Sequence, residues 1–312
     1  MWAARPASYF ERVDYRLHVF RIVAEQLNFT RAAARLHISQ PAVTQHIKLL
    51  EEHYRLPLFR RAPEGISLTP SGCDLLEHAR TVERLDEKVD QEIRARRGAV
   101  SGRLQLGASS TVSQYLLPEW LVRSRRLWPD LALGVTTGNT EEVIGALLAR
   151  KIDLGLIEGA CRRADLGTET FLRDEMVCVA APGHRLATKA RPTLREVVAE
   201  SLVAREPGSG TREVVEEALA ARKIPVSRLK IDLELSSSEA IKSVVAAGHG
   251  VAFLSRFTVA RDIAAGRLQM LPIPGWKVFR QLRFVYPKGP RPGGAAGAFI
   301  ALVLEAGAGL SV

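Results

Sequence analysis

Cysteine is scarce in this chain and poorly placed for covalent or metal chemistry. The three copies among 312 residues, Cys73, Cys161 and Cys178, lie far apart, with no CxxC pair and no histidine ladder beside them. Neither a disulfide framework nor a zinc site is expected. Also missing is any uncharged run long enough to cross a bilayer, and the opening stretch MWAARPASYFERVDYRL lacks the apolar core of a signal peptide. No membrane partner is expected, and the cytoplasm is the expected compartment. Catalytic signatures are absent too: no GxSxG elbow, HExxH helix or paired-carboxylate motif occurs, and His184 and His249 fall in turns without an evident acid or nucleophile. An enzyme acting on a small acidic substrate is therefore the weakest reading, and no catalytic residue, metal or cofactor is expected.

What is present describes an ordinary globular protein, with 46% hydrophobic and 25% charged residues. The length suggests two or three units. The net charge of +10 divides unevenly: +4 through Pro70, −1 from Ser71 to Arg97, and +7 from Gly98 onward. Excess base near the N-terminus suits a polyanion such as nucleic acid, although a generally arginine-rich composition gives the same balance.

The strongest local pattern runs from Tyr15 to Thr69. Leu17, Phe20, Val23, Ala24 and Leu27 recur at helical spacing. Thr30 then precedes RAAARL and is the expected N-cap of a short second helix, broken at His37-Ile38. Ser39, followed closely by Pro41, is expected to open a third helix. There Val43, Ile47 and Leu50 face a core, while Gln40, Pro41, Thr44, Gln45 and Lys48 form the opposite face. Amides and a hydroxyl can read base edges in the major groove, and lysine can meet a phosphate. Two short helices so arranged predict a helix-turn-helix, although every amphipathic helix has a polar face.

The residues FTRAAARLHISQPAVTQHIKLLEE, followed by PLFRR and ISLTPSG, closely resemble the signature of LysR-type transcriptional regulators. The resemblance implies a winged helix-turn-helix in which the third helix reads double-stranded operator DNA. It implies a wing from Leu58 to Thr69 turning at Pro63-Glu64-Gly65, with Arg60 and Arg61 on phosphates. Thr30, Arg31 and Ser39 complete the candidate DNA contacts. Two departures stand out. Tyr54-Arg55 replaces the family's usual Leu-Gly, so either Arg55 adopts a left-handed conformation or the helix ends differently. Glu64 occupies the wing tip, where a basic residue is common.

Beyond Pro70, SGCDLLEHARTVERLDEKVDQEIRARRG carries Leu75, Ala79, Val82, Val89 and Ile93 at coiled-coil spacing, with Asp86 interrupting. This long helix is expected to dimerise the chain, with packing against the chain's own domain as the alternative. The resemblance adds a dimer of dimers as the usual assembly.

After Gly98 the texture alternates. RLQLGAS, LALGVTT, DLGLI, MVCVAAP, LVAR, LKIDLEL and GVAFLS read as strands, with amphipathic helices between most of them, and predict an α/β architecture with mainly parallel sheets. The resemblance implies two Rossmann-like subdomains of the type 2 periplasmic-binding-protein kind around a cleft. The expected layout is an extension over 1–13, the winged domain over 14–70, the linker helix over 71–97 and an effector-binding domain over 98–312. Within the last, subdomain I spans about 98–170 plus 266–312 and subdomain II about 171–265. The expected crossings lie near Ala160 to Cys178 and near Arg256 to Gly266.

Ligands of open α/β sheets bind beyond the carboxyl ends of strands. That rule gathers Ser109, Ser110 and Thr111, then Asn139 and Thr140, then Ser237, and the loop REPGSGTR with Arg205, Ser209, Gly210 and Thr211. Helix N-termini there favour negative charge, although each loop alone serves equally as a helix cap. REPGSGTR lacks the spacing and lysine of a P-loop. Its arginines suggest a small anionic effector, while Glu206 argues against bare phosphate. The expectation is a sequence-specific, effector-modulated DNA-binding regulator, able to contact RNA polymerase. The alternative is an architectural DNA-binding protein without an effector.

Overall fold

The computed structural model describes residues 9–62, 65–95 and 100–307, and divides into two compact units, 1–90 and 91–312.

The first unit packs α1 (Tyr9–Gln26), α2 (Phe29–Leu36) and α3 (Gln40–Tyr54) against a hairpin of β1 (Phe59–Ala62) and β2 (Gly65–Leu68), with α4 (Pro70–Ala95) following. Phe20, Val23, Ala33, Val43, Ile47, Leu50 and Leu58 form its core. Removing such side chains from water is the main driving force for the fold, about 25 cal/mol per Å² of apolar surface. Leu27 does not join them: α1 ends at Gln26, and Leu27 turns left-handed with φ 45° and stays exposed. The second helix is capped by Asn28, not by Thr30. Asn28 is extended and its side-chain oxygen accepts from the Arg31 N–H, so α2 starts one residue before Thr30. Ser39 caps α3 as expected, accepting from the Ala42 N–H at 3.3 Å. Arg55 takes the left-handed conformation itself, with φ 54°, and its N–H closes the helix on the Glu51 carbonyl.

In the hairpin Ala62 pairs with Gly65. Pro63 and Glu64, and with them the wing tip, lie outside the described residues. Thr69 then fastens the hairpin to α4: its hydroxyl donates to the Pro57 carbonyl at 2.7 Å and accepts from the Gly72 N–H at 3.0 Å. A Cβ on Gly72 would sit 2.1 Å from the Leu58 carbonyl oxygen, so only glycine permits this approach.

The expected dimer seam is corrected at its start. Ala79 is buried in the first unit's own core and Leu75 packs against it, because the opening turns of α4 cover α1 and the hairpin. Val82, 43% exposed, and Leu85, 57% exposed, stay on the surface. The side chains of Val89 and Ile93 lie outside the described residues.

The second unit is built on one hydrogen-bonded sheet of nine strands. Its first half holds β3 (Gly102–Ser109), β4 (Leu131–Gly138) and β5 (Leu154–Glu158), with α5 (Leu117–Leu127) and α6 (Thr140–Leu148) between them. One π-helical turn, Val112–Leu116, leads into α5. β6 (Leu166–Ala180) crosses to the second half. There α7 (Leu194–Val198), β7 (Leu202–Arg205), α8 (Gly210–Ala220), β8 (Ile231–Leu235), α9 (Ser238–Ala246), β9 (Val251–Ser255), α10 (Arg256–Ala264) and β10 (Gln269–Met270) follow. β11 (Val278–Pro287) crosses back, and α11 (Gly294–Gly307) seals the first half.

The strand order is β4-β3-β5-β11-β6-β9-β7-β8. Pairing is parallel within each half, between β3 and both β4 and β5, and between β7 and both β8 and β9. It is antiparallel where the crossing strands enter. The return crossing therefore lies at Val278–Pro287. Around Arg256 to Gly266, where it was expected, the chain forms α10. β10 still pairs with Val179 and Ala180 of β6, so the segment from 266 through β10 belongs with the second half.

Candidate nucleic-acid interface and effector cleft

α3 divides as its spacing requires. Val43, Ile47 and Leu50 are buried; Gln40, Pro41, Gln45 and Lys48 are exposed, and Thr44 is half-buried. These five polar-face residues line a shallow concavity with Leu49 and Glu52. Gln40 donates to the Thr44 hydroxyl at 3.2 Å, and that hydroxyl donates to the Gln40 carbonyl at 3.1 Å, which fixes the pair in one orientation. Lys48 lies 3.8 Å from Glu52 one turn on, an exposed pair too weak to tie the ammonium down. Ser39, Thr30 and Arg31 are exposed. Arg60 is exposed on β1 opposite Ser67, while the Arg61 side chain lies outside the described residues.

In the second unit, loops that follow strands of both halves meet. Arg205, at the end of β7, is buried. Its Nε and Nη2 donate to the two carboxylate oxygens of Glu206 at 2.8 and 2.9 Å. Nη1 reaches Ser238 Oγ at 3.1 Å, and Nη2 reaches Ser110 Oγ of the first half at 3.2 Å. Ser109 is buried beside them, its hydroxyl without a close hydrogen-bond partner. The other bracketing arginine turns away: Arg212 donates to Glu216 at 2.7 Å, to the Arg205 carbonyl at 3.1 Å and to Glu234.

Two expected contact residues cap helices through their side chains. Asn139 forms a capping box with Glu142 on α6, and Ser237 accepts from the Ala240 N–H on α9; its neighbour Ser238 is the one that meets Arg205. Ser209 precedes α8, buried and without a side-chain cap bond. Gly210 marks a close approach of the halves. A Cβ there would lie 2.2 Å from the Glu158 carbonyl oxygen and 2.8 Å from the Thr140 hydroxyl. The Gly208 carbonyl also accepts from the Glu141 N–H at 3.3 Å.

Behind these loops lies a buried charge cluster that the sequence reading missed. Arg280 of β11 donates through Nε to Asp174 of β6 at 2.7 Å and pairs with Glu158 of β5. It also donates to Thr211 Oγ1 at 2.7 Å and Thr111 Oγ1 at 3.1 Å. Glu158 accepts from the Thr111 N–H at 2.8 Å and the Thr211 hydroxyl at 2.9 Å, and Thr140 donates to its backbone carbonyl at 3.1 Å. Ser255 donates to Asp174 at 2.8 Å. Thr111, Thr140 and Thr211 are thus committed to this cluster.

Burial opposes the charge of Glu158, but Arg280, the Thr111 N–H, Arg205 and the nearby Ser109 hydroxyl outweigh it and hold its carboxyl at about 2. For Asp174 burial prevails and raises the carboxyl above its usual range, against Arg280 and Ser255 and with help from the charge of Glu158. The signal in the sequence was charge set within or at the end of otherwise apolar strands, Glu158 in LGLIE, Asp174 in RDEMVCVA and Arg280 in VFRQLRFVYP. The partners are too distant in the chain for spacing to reveal them.

A third connection crosses between the halves. Tyr115, in the π-helical turn, donates to Glu239 of α9, whose carboxylate lies 2.9 Å from the buried Lys242. Lys242 also pairs with Asp262 at 2.7 Å. The two histidines considered earlier do have acidic neighbours: His249 contacts Asp232 at 2.7 Å, and His184 lies 3.7 Å from Glu200. Among the described residues no group of three or more His, Cys, Asp or Glu is placed to hold a metal ion. No helix among them is long and apolar enough to cross a membrane.

Two family models cover most of this chain. Residues 15–73 match the bacterial regulatory helix-turn-helix protein, lysR family, and residues 97–308 match the LysR substrate binding domain. The chain belongs to the LysR family of transcriptional regulators. This LysR-type regulator is 37% identical to the HTH-type transcriptional regulator CysL of Bacillus subtilis, over 86% of its own length and 89% of that protein's. Among solved structures it resembles the regulatory domain of Synechocystis CcmR in complex with 2-PG, with a TM-score of 0.62 and 25% identity over 68% of this chain and all of that one. Full-length CbnR, solved with its target DNA, shares the fold, with a TM-score of 0.62 and 22% identity over 94% of this chain and 97% of that one.

Proposed function

We propose that this LysR-type regulator acts in the cytoplasm on a promoter operator, as a homodimer or a dimer of dimers, and that a small anionic metabolite in the C-terminal cleft modulates it. Gln40, Pro41, Thr44 and Gln45 read base edges, while Lys48, Arg60 and Arg61 meet phosphates, with Thr30, Arg31 and Ser39 beside them. Ser109, Ser110, Arg205, Ser209 and Ser238 face the effector. The reading assigns no catalytic step and includes an RNA polymerase contact by the DNA-bound assembly.

One observation carries the effector reading: the Arg205 guanidinium is buried where the halves meet and holds a serine from each. A ligand at Arg205 interacts with both halves at once, so it binds one arrangement of them more tightly than another. Only such a difference in affinity shifts a population. The CcmR regulatory domain, solved in complex with 2-PG, supports a small-molecule ligand in a domain of this kind.

The test is a footprint on the promoter DNA, with and without a panel of small organic and phosphorylated acids. At least one acid is expected to change the length or affinity of the footprint. A footprint indifferent to every acid favours the architectural alternative, and equal affinity for operator and random DNA removes the regulator reading.

A further inference from the structure

The second unit buries two arginines in the region where its halves meet, and both already hold carboxylates. Arg280 is fixed between Asp174 and Glu158, whose side chains are 0% and 2% exposed and have no way out. Arg205 differs. Among the described residues the carboxylate hydrogen-bonded to it is Glu206, 19% exposed, which holds the Nε and Nη2 edge of the guanidinium while Ser238 and Ser110 accept from Nη1 and Nη2.

The Glu206 geometry is bidentate, two nearly parallel N–H to oxygen bonds along the Nε and Nη2 edge. That is the arrangement in which arginine receives a carboxylate or a phosphoryl group from a ligand. We propose that Glu206 is a resident occupant of the Arg205 anion seat, and that an effector carboxylate or phosphoryl group binds by displacing it. The inference rests on the effector-cleft reading above and deepens it.

Two consequences follow from exchanging one ion pair for another. The anionic group alone gains little, because the seat is already neutralised, so simple inorganic anions bind poorly. A productive ligand must therefore add contacts of its own. Displacement is also transmitted. Glu206 is joined through Pro207 to Gly208, whose carbonyl holds the Glu141 N–H of the other half and whose φ of +80° favours glycine. Moving Glu206 therefore pulls on a direct contact between the halves.

The experiment is isothermal titration of the full-length protein with inorganic phosphate at low ionic strength, comparing the parent with E206Q and E206A. Circular dichroism checks that both variants fold, and two variants guard against one failing. Removing the competing charge should tighten phosphate binding by about tenfold or more, in line with the advantage of charged over neutral hydrogen-bond partners. The gain should vanish when Arg205→Ala is added. Equal or weaker binding by both variants, or no binding by either, overturns the proposal. If organic acids alter the parent's footprint while the variants gain nothing, this inference falls and the effector reading stands. If the variants gain but no acid affects the footprint, the seat is real and the effector reading falls.

Discussion

Arg205 donates to the Ser110 hydroxyl at 3.2 Å, joining the end of β7 in one half of the effector-binding unit to the end of β3 in the other. Because both groups are buried, the bond is shielded from water and discriminates between arrangements of the halves.

Ser110→Ala should weaken that preference without unfolding the unit, since Arg205 keeps Glu206 and Ser238. A neutral acceptor lost from such a site costs about 1 kcal/mol, or roughly fivefold in the balance between arrangements. The expected outcome is an effector Kd raised about fivefold by calorimetry, with an unchanged thermal midpoint in the absence of effector. A Kd equal to the parent's would show that the bond plays no part in ligand response.

Glu158 gives a pH prediction whose sign is fixed by its depressed carboxyl. Held at about 2 in the folded protein against 4.5 unfolded, it contributes stability that is fully present above about 4.5 and lost as pH falls towards 2. The window corresponds to on the order of 3 kcal/mol. Glu158→Gln should lower stability at neutral pH and flatten the acid limb. Denaturant titrations at several pH values would follow this through Trp120 and Trp276, both buried in this unit. An acid limb as steep as the parent's would assign that loss to other groups.

Arg55 closes α3 in a left-handed conformation, which costs a side-chain-bearing residue what glycine avoids. Arg55→Gly is expected to stabilise the DNA-reading unit by roughly 1 kcal/mol, net of glycine's greater freedom when unfolded. Thermal scans should show its transition rising by a few degrees. A lowered midpoint would mean that the Arg55 side chain stabilises the fold in its own right.

On the DNA face, two residues of α3 should separate two kinds of contact. Lys48→Ala should weaken binding to operator and random DNA alike and reduce the salt slope by about 1. Gln45→Ala should leave the slope intact and cost about 1–3 kcal/mol of discrimination at one base pair. Competition binding across salt concentrations measures both; identical behaviour of the two variants would remove the distinction.

The sequence disclosed those parts of the molecule whose causes are local. The strand ending at Ser109, the cap at Ser39 and the core spacing of Val43, Ile47 and Leu50 each depend on residues a few positions apart. Thr30 was mistaken for a cap because Asn28 can do the same work two residues earlier, and only the backbone decides between them. Leu75 and Ala79 were assigned to a partner helix because an intramolecular core uses the same spacing. β11 was overlooked because Arg280, Gln281 and Arg283 interrupt its apolar residues. The reason for Arg280 lies on Asp174 and Glu158, more than a hundred positions away, where no periodicity reaches.

The crossing strands have a mechanical consequence. β6 and β11 remain hydrogen-bonded from Leu166–Pro287 to Met176–Val278, with a register shift at Leu282/Arg283. The two halves are thus joined by a twisted ribbon whose ladder resists stretching and sliding. Such a ribbon behaves as a wrist: it allows small rotations about its own length and returns when released, and cleft movements large enough to separate its strands must break the ladder. A turn of one half against the other about this ribbon is therefore limited in angle, because a larger one must break the β6–β11 ladder.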